Sequence, residues 1–109
     1  MCYRRQEHHP AINAVIDLDR ERALTLAREA DRQRQAGESC GPLHGLPMTV
    51  KDTWEVPGLG CCAGAPVLSG YRPEQPADVI RGLQDAGAII IGKTNVPYYA
   101  SDIPTYNRV

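Results

Sequence analysis

Residues 88–91, Ala-Ile-Ile-Ile, constrain the fold of this chain more than any other stretch. Four consecutive apolar residues, three of them β-branched, lack the period of two that a half-exposed strand shows. They predict a strand buried on both faces, and such a strand needs a layer of structure on either side. The flanking sequence supplies helices. Residues 77–86 read as a helix in which Val79, Ile80 and Leu83 are apolar, with Gly87 ending the segment. Residues 20–36 (RERALTLAREADRQRQA) are rich in helix formers. Ala23, Leu24, Ala27 and Ala30 are expected on one face and charges opposite. Asp19 is the expected N-cap, and Gly37 stands where a C′ glycine belongs.

Two further strands are predicted. Residues 12–18 (INAVIDL) begin apolar and β-branched, and residues 48–52 (MTVKD) leave a loop punctuated by Gly41-Pro42, Gly45 and Pro47. Residues 57–66 (PGLGCCAGAP) are small and glycine-rich, which predicts close backbone approach. The order strand, helix, strand, helix, strand is an α/β pattern. With no Phe and one Trp, aliphatic residues must fill the core. They bury less area each than aromatics do, so a chain of 109 residues makes one small, marginally stable domain at most.

Net charge is 12 − 13 = −1, so no global field draws the chain to nucleic acid or anionic lipid. No stretch approaches the about 20 apolar residues of a membrane span. Residues 1–10 (MCYRRQEHHP) hold no apolar run of the kind a secretory signal needs. The four cysteines, Cys2, Cys40, Cys61 and Cys62, follow no disulfide spacing. The expectation is reduced thiols in a cytoplasmic protein.

Two motifs carry chemistry. In Gly41-Pro42-Leu43-His44-Gly45-Leu46-Pro47-Met48-Thr49-Val50-Lys51-Asp52, a glycine- and proline-set loop delivers Lys51 near a strand end. Alternation puts Lys51 on one face with Thr49, and Met48 and Val50 on the other. If that face is buried, desolvation favours the neutral amine, which can take a proton from a hydroxyl. A solvated or ion-paired lysine is the plain alternative. The second motif, Asp85-Ala86-Gly87-Ala88-Ile89-Ile90-Ile91-Gly92-Lys93-Thr94-Asn95, contains the phosphate-loop pattern G-x-x-x-x-G-K-S/T from Gly87 to Thr94. The four residues between its glycines are the predicted strand, and an extended apolar strand cannot form a nest of backbone N–H groups. Gly87 is instead expected to end a helix, and Gly92 to end a strand.

GPLHGLPMTVKD followed downstream by GAIIIGKTNVP, with INAVIDLDRERALTLAREAD upstream, resembles the amidase-signature family from about Pro10 to Val109. The resemblance implies that residues 1–109 are the N-terminal portion of an amidase domain. That portion is an incomplete fragment of the family's mixed α/β sheet with flanking helices, and residues 88–91 are its central strand. It implies hydrolysis of carboxylic amides through a Ser–cis-Ser–Lys triad and an acyl-enzyme, with Lys51 as the triad lysine and no cofactor. Both serines are expected beyond Val109, since Ser39, Ser69 and Ser101 lie in no Gly-Gly-Ser-Ser context. The chain by itself is therefore expected to be inactive, with exposed apolar faces and strand edges. A small amide is the implied substrate of the complete enzyme, and neither nucleic acid nor membrane is an implied partner. Two alternatives stand beside this reading: the amidase subunit of a tRNA-dependent amidotransferase, which needs partner chains, and a non-enzymatic remnant.

His8, His9 and His44 with the cysteines match no zinc spacing, so no metal is expected. His44 is expected to pack near Lys51. Trp54 either lines a pocket or simply packs, and a thiol nucleophile at Cys61 or Cys62 has no pattern behind it.

Overall fold

The computed structural model describes residues 12–38, 40–101, 103 and 105. Its elements are β1 (Val15–Leu18), α1 (Arg20–Gln35), β2 (Pro47–Lys51), α2 (Asp78–Asp85) and β3 (Ile89–Thr94), with 3₁₀ turns at Pro66–Leu68 and Tyr98–Ala100. The sheet order is β1-β3-β2. β1 runs antiparallel to β3, and β2 runs parallel to it. The architecture is thus a small mixed sheet with helices, as expected, and the isoleucine run is its central strand.

β3 is buried along both faces because each face has its own cover. Ile90 packs with Val50, Val56, Leu59 and Ile80. Ile89 and Ile91 point the other way, onto Ala23 and Ala27 of α1. That alternation is the strand period of two expressed inside an all-apolar segment. The strand also runs further than expected. Gly92, Lys93 and Thr94 continue it, so Gly92 lies within the strand and does not end it.

The helix signals hold at their ends. The Asp19 carboxylate accepts the Arg22 N–H at 3.0 Å and caps α1. Gly37 follows α1 with φ +71°, and Gly87 follows α2 with φ +95°. The predicted face of α1 needs correction. Leu24 is 40% exposed while Ala23 is buried, and in α2 Val79 is 47% exposed while Ile80 is buried. α1 meets the sheet along a narrow alanine stripe only, and that stripe leaves Leu24 outside it. With Gly87 closing a helix and 89–94 forming a strand, the phosphate-loop pattern has no cradle.

The predicted close approach in 57–66 is real. A β-carbon on Gly64 would lie 2.8 Å from the carbonyl oxygens of both Val96 and Pro97. The 57–60 part of this loop is tied to β1 and α1. The Asp17 carboxylate accepts the Gly60 N–H at 2.8 Å, and the Arg22 guanidinium donates to the Pro57 carbonyl at 3.4 Å.

Candidate active site

Lys51 is the last residue of β2, opposite Thr94 of β3. The chain turns immediately beyond it, and the Trp54 N–H donates to the Lys51 carbonyl at 3.0 Å. Lys51 itself is exposed. No side chain among the described residues bonds to its ammonium. The burial that a neutral amine requires is therefore not supplied by the described part of the chain. His44 does not pack near Lys51. It precedes β2 while Lys51 closes that strand, and its ring nitrogen Nε2 lies 2.9 Å from the Ala30 carbonyl of α1.

A second lysine lies beneath the turn. Lys93 and Asp52 are fully buried, at 0% and 1% exposure. The Lys93 Nζ is 3.5 Å from Asp52 Oδ1. It donates to the Gly60 carbonyl at 3.1 Å and to the Trp54 carbonyl. The other carboxylate oxygen, Oδ2, accepts the Cys62 N–H at 3.2 Å and the Cys62 thiol at 2.9 Å. The Asp52 backbone is held as well, its N–H donating to the Thr94 carbonyl and its carbonyl accepting from the Ala63 N–H, each at 3.2 Å. Every charge in this cluster has partners, as burial demands.

The sequence reading missed this pair. Its signal is present in hindsight: a strand buried on both faces that continues through Lys93 leaves no route to solvent for the ammonium, so an anion has to be nearby.

The adjacent thiols are poor nucleophiles. Burial pushes the Cys61 thiol above its ordinary value. Burial, and then the hydrogen bond to Asp52, does the same for Cys62. A reactive cysteine needs the opposite environment. Among the serines, Ser69 is exposed and the Ser101 hydroxyl donates to the Tyr98 carbonyl at 2.6 Å. Ser39 lies outside the described residues, as do Cys2, His8 and His9 of the metal reading. Among the described residues, no three His, Cys, Asp or Glu side chains converge into a metal site.

Trp54 does line a concavity. With Glu55, Cys61, Leu68, Tyr71 and Ala77 it borders an open hollow of about 440 Å³. The Tyr71 hydroxyl donates to Glu55 at 2.6 Å, and that carboxylate holds the phenol above its ordinary value.

The site is thus an exposed lysine at the end of β2 beside a buried lysine–aspartate pair. The amidase family model matches residues 1–109. The chain belongs to the amidase family. It is 39% identical over 98 residues to a glutamyl-tRNA(Gln) amidotransferase subunit of Acidothermus cellulolyticus, covering 90% of this chain and 19% of that protein. It is 42% identical over 89 residues to an acylamidase of Rhodococcus erythropolis, covering 82% of this chain and 19% of the acylamidase. Among solved structures, the peptide amidase of Stenotrophomonas maltophilia superposes with a TM-score of 0.75 and 43% identity, over 82% of this chain and 18% of that one. The chain thus spans about a fifth of the length of these amidase-family relatives. No helix of the described residues is long and apolar enough to cross a membrane.

Proposed function

We propose that this chain is the N-terminal portion of an enzyme hydrolysing carboxylic amides, with Lys51 as the proton-accepting lysine of a Ser–cis-Ser–Lys triad. The observation that carries this reading is the state of the two lysines. Lys93 is spent on two backbone carbonyls and Asp52, whereas Lys51 is exposed at a strand end with no partner among the described residues. Both serines belong to sequence outside residues 1–109. Packing of that further sequence over the end of β2 desolvates Lys51 and favours its neutral form.

The neutral amine then takes a proton through the bridging serine as the nucleophilic serine attacks the amide carbon. Collapse of the tetrahedral intermediate breaks the C–N bond, and the proton passes back to the departing amine or ammonia. Water releases the acid from the acyl-enzyme by the same relay. No cofactor enters this chemistry, and the substrate is a small amide.

A second reading is favoured by the 39% identity to the glutamyl-tRNA(Gln) amidotransferase chain. In that case the same lysine serves the amidase subunit of a tRNA-dependent amidotransferase, and partner chains are required.

The test is ammonia release from a panel of small and aryl amides. The chain is assayed beside a polypeptide extended to the relatives' length, each with a Lys51→Ala counterpart. Activity in the extended form only, reduced roughly 10³-fold or more by Lys51→Ala, is the expected result. Activity that emerges only on addition of partner chains selects the second reading. Lys51-dependent hydrolysis by the 109-residue chain alone overturns the claim that its nucleophile lies elsewhere.

A further inference from the structure

The geometry points to Lys93 and Asp52 as positioning residues that set the direction in which Lys51 leaves the sheet. This inference rests on the proposed role of Lys51, and its structural half can be tested without that role. The turn after Lys51 is closed by one backbone hydrogen bond, from the Trp54 N–H to the Lys51 carbonyl. The opposite side of that turn is held from inside the protein. The Lys93 ammonium takes the Trp54 carbonyl, and the carboxylate of Asp52, the residue directly after Lys51, faces the same ammonium at 3.5 Å.

The cluster also reaches the layer below. Lys93 takes the Gly60 carbonyl and Asp52 takes the Cys62 N–H and thiol, so the glycine-rich loop is stapled under the turn. Three separate segments, 51–54, 60–62 and β3, therefore meet at one ammonium.

A buried ion pair is a weak way to add stability, because desolvation offsets most of the attraction. Its distinctive capacity is to exclude other arrangements of the groups it joins. Apolar residues at 52 and 93 would fill the same space. They would leave the Trp54 and Gly60 carbonyls without donors and the turn free to choose another geometry. An amine that must meet a serine hydroxyl within hydrogen-bond distance depends on that geometry.

Lys51 and Lys93 are the only lysines in the chain, which makes the first measurement direct. Brief acetylation with acetic anhydride, mapped by mass spectrometry, is expected to modify Lys51 at least 100-fold faster than Lys93. Comparable rates would show that Lys93 is not enclosed and would overturn the proposal. The second measurement compares Lys93→Met with Lys93→Met/Asp52→Asn. The single variant strands a buried carboxylate and is expected to melt well below the parent, and the uncharged double variant is expected to regain most of that loss. If the pair positions the turn, amide hydrogen exchange at Trp54 stays at least tenfold faster in the double variant, while exchange at Ile89–Ile91 stays within twofold of the parent. Recovery of Trp54 protection together with melting temperature would show a merely structural pair and sink the idea.

In the extended enzyme, the same double variant is expected to lower kcat at least tenfold with KM within twofold. Unimpaired hydrolysis by Lys51→Ala would instead remove the proposed function, leaving the exchange result to decide the geometry.

Discussion

Gly92 faces the carbonyl of Asp17 across the β1–β3 ladder so closely that a β-carbon at 92 would lie 2.4 Å from that oxygen. It would also lie 2.6 Å from a methyl carbon of Leu18. The oxygen belongs to a neighbouring strand and cannot swing aside as a side-chain tip can. Gly92→Ala is therefore expected to destabilise the chain by about 1–3 kcal/mol or more, read as a lower urea midpoint. The same geometry explains the phosphate-loop look-alike, since Gly92 is required for strand packing. Magnesium–ATP is expected to leave the melting temperature unchanged, and a saturable upward shift would contradict the assignment.

Asp19 and His44 anchor α1 at two points. Asp19 caps its start, and His44 meets the Ala30 carbonyl further along the helix. Loss of an N-cap side chain costs about 1 kcal/mol, and loss of a partly buried hydrogen bond costs a similar amount. Asp19→Ala and His44→Ala are each expected to cost about 1 kcal/mol in chemical denaturation. Since their partners, Arg22 and Ala30, lie on separate turns of one helix, the two losses should be close to additive. Asp19→Asn, which keeps the capping oxygen, should recover most of its share.

These features differ in how far they were legible beforehand. Asp19, Gly37 and Gly87 act on their own helix ends, so a short window of sequence suffices. The buried isoleucines likewise declare themselves by composition. The Lys93–Asp52 pair depends on strand register: β2 and β3 must run parallel with Val50 opposite Lys93 before residues 52 and 93 can meet. No local pattern carries that pairing. Ending β3 at Ile91 also hid the fact that Lys93 occupies a fully buried position. Leu24 was misplaced for a related reason. Helical spacing identifies a face, but its width depends on what packs there, and it is Ala23 and Ala27 that pack with Ile89 and Ile91. The role proposed for Lys51 was suggested beforehand by family resemblance, and its exposed place at the end of β2 became visible only in the fold.

The thiols predict a pH dependence. Burial raises both Cys61 and Cys62 above the ordinary thiol value. The folded chain then holds these protons to higher pH than the unfolded chain does. Their stabilisation is complete below about pH 8.5, the unfolded thiol value, and is lost as pH rises through the higher folded values. Urea melts from about pH 7 to 10.5 are expected to show stability falling above about pH 8.5, with a shallower fall in Cys61→Ala/Cys62→Ala. Tyr71 is also raised, chiefly by its hydrogen bond to Glu55, and that bond is present in both proteins. Equal slopes would show that the thiols titrate alike in both states. Alkylation should follow the same logic, with exposed Cys40 modified by iodoacetamide in mild alkali before Cys61.

The two lysines give the sharpest contrast. Lys51 is exposed and has no partner among the described residues, so Lys51→Ala is expected to change stability by no more than about 0.5 kcal/mol. Lys93 is enclosed, and its removal leaves the Asp52 carboxylate buried and two carbonyls without donors. Breaking a buried pair from one side costs about 3–5 kcal/mol, a large share of the stability of a small domain. Lys93→Ala should therefore unfold at a much lower urea concentration, or fail to fold at physiological temperature. If Lys51→Ala proved equally damaging, Lys51 would have a structural partner and its proposed freedom to exchange protons would fall. A harmless Lys93→Ala would mean that the ammonium does not hold the turn, and the orientation of Lys51 would need another source.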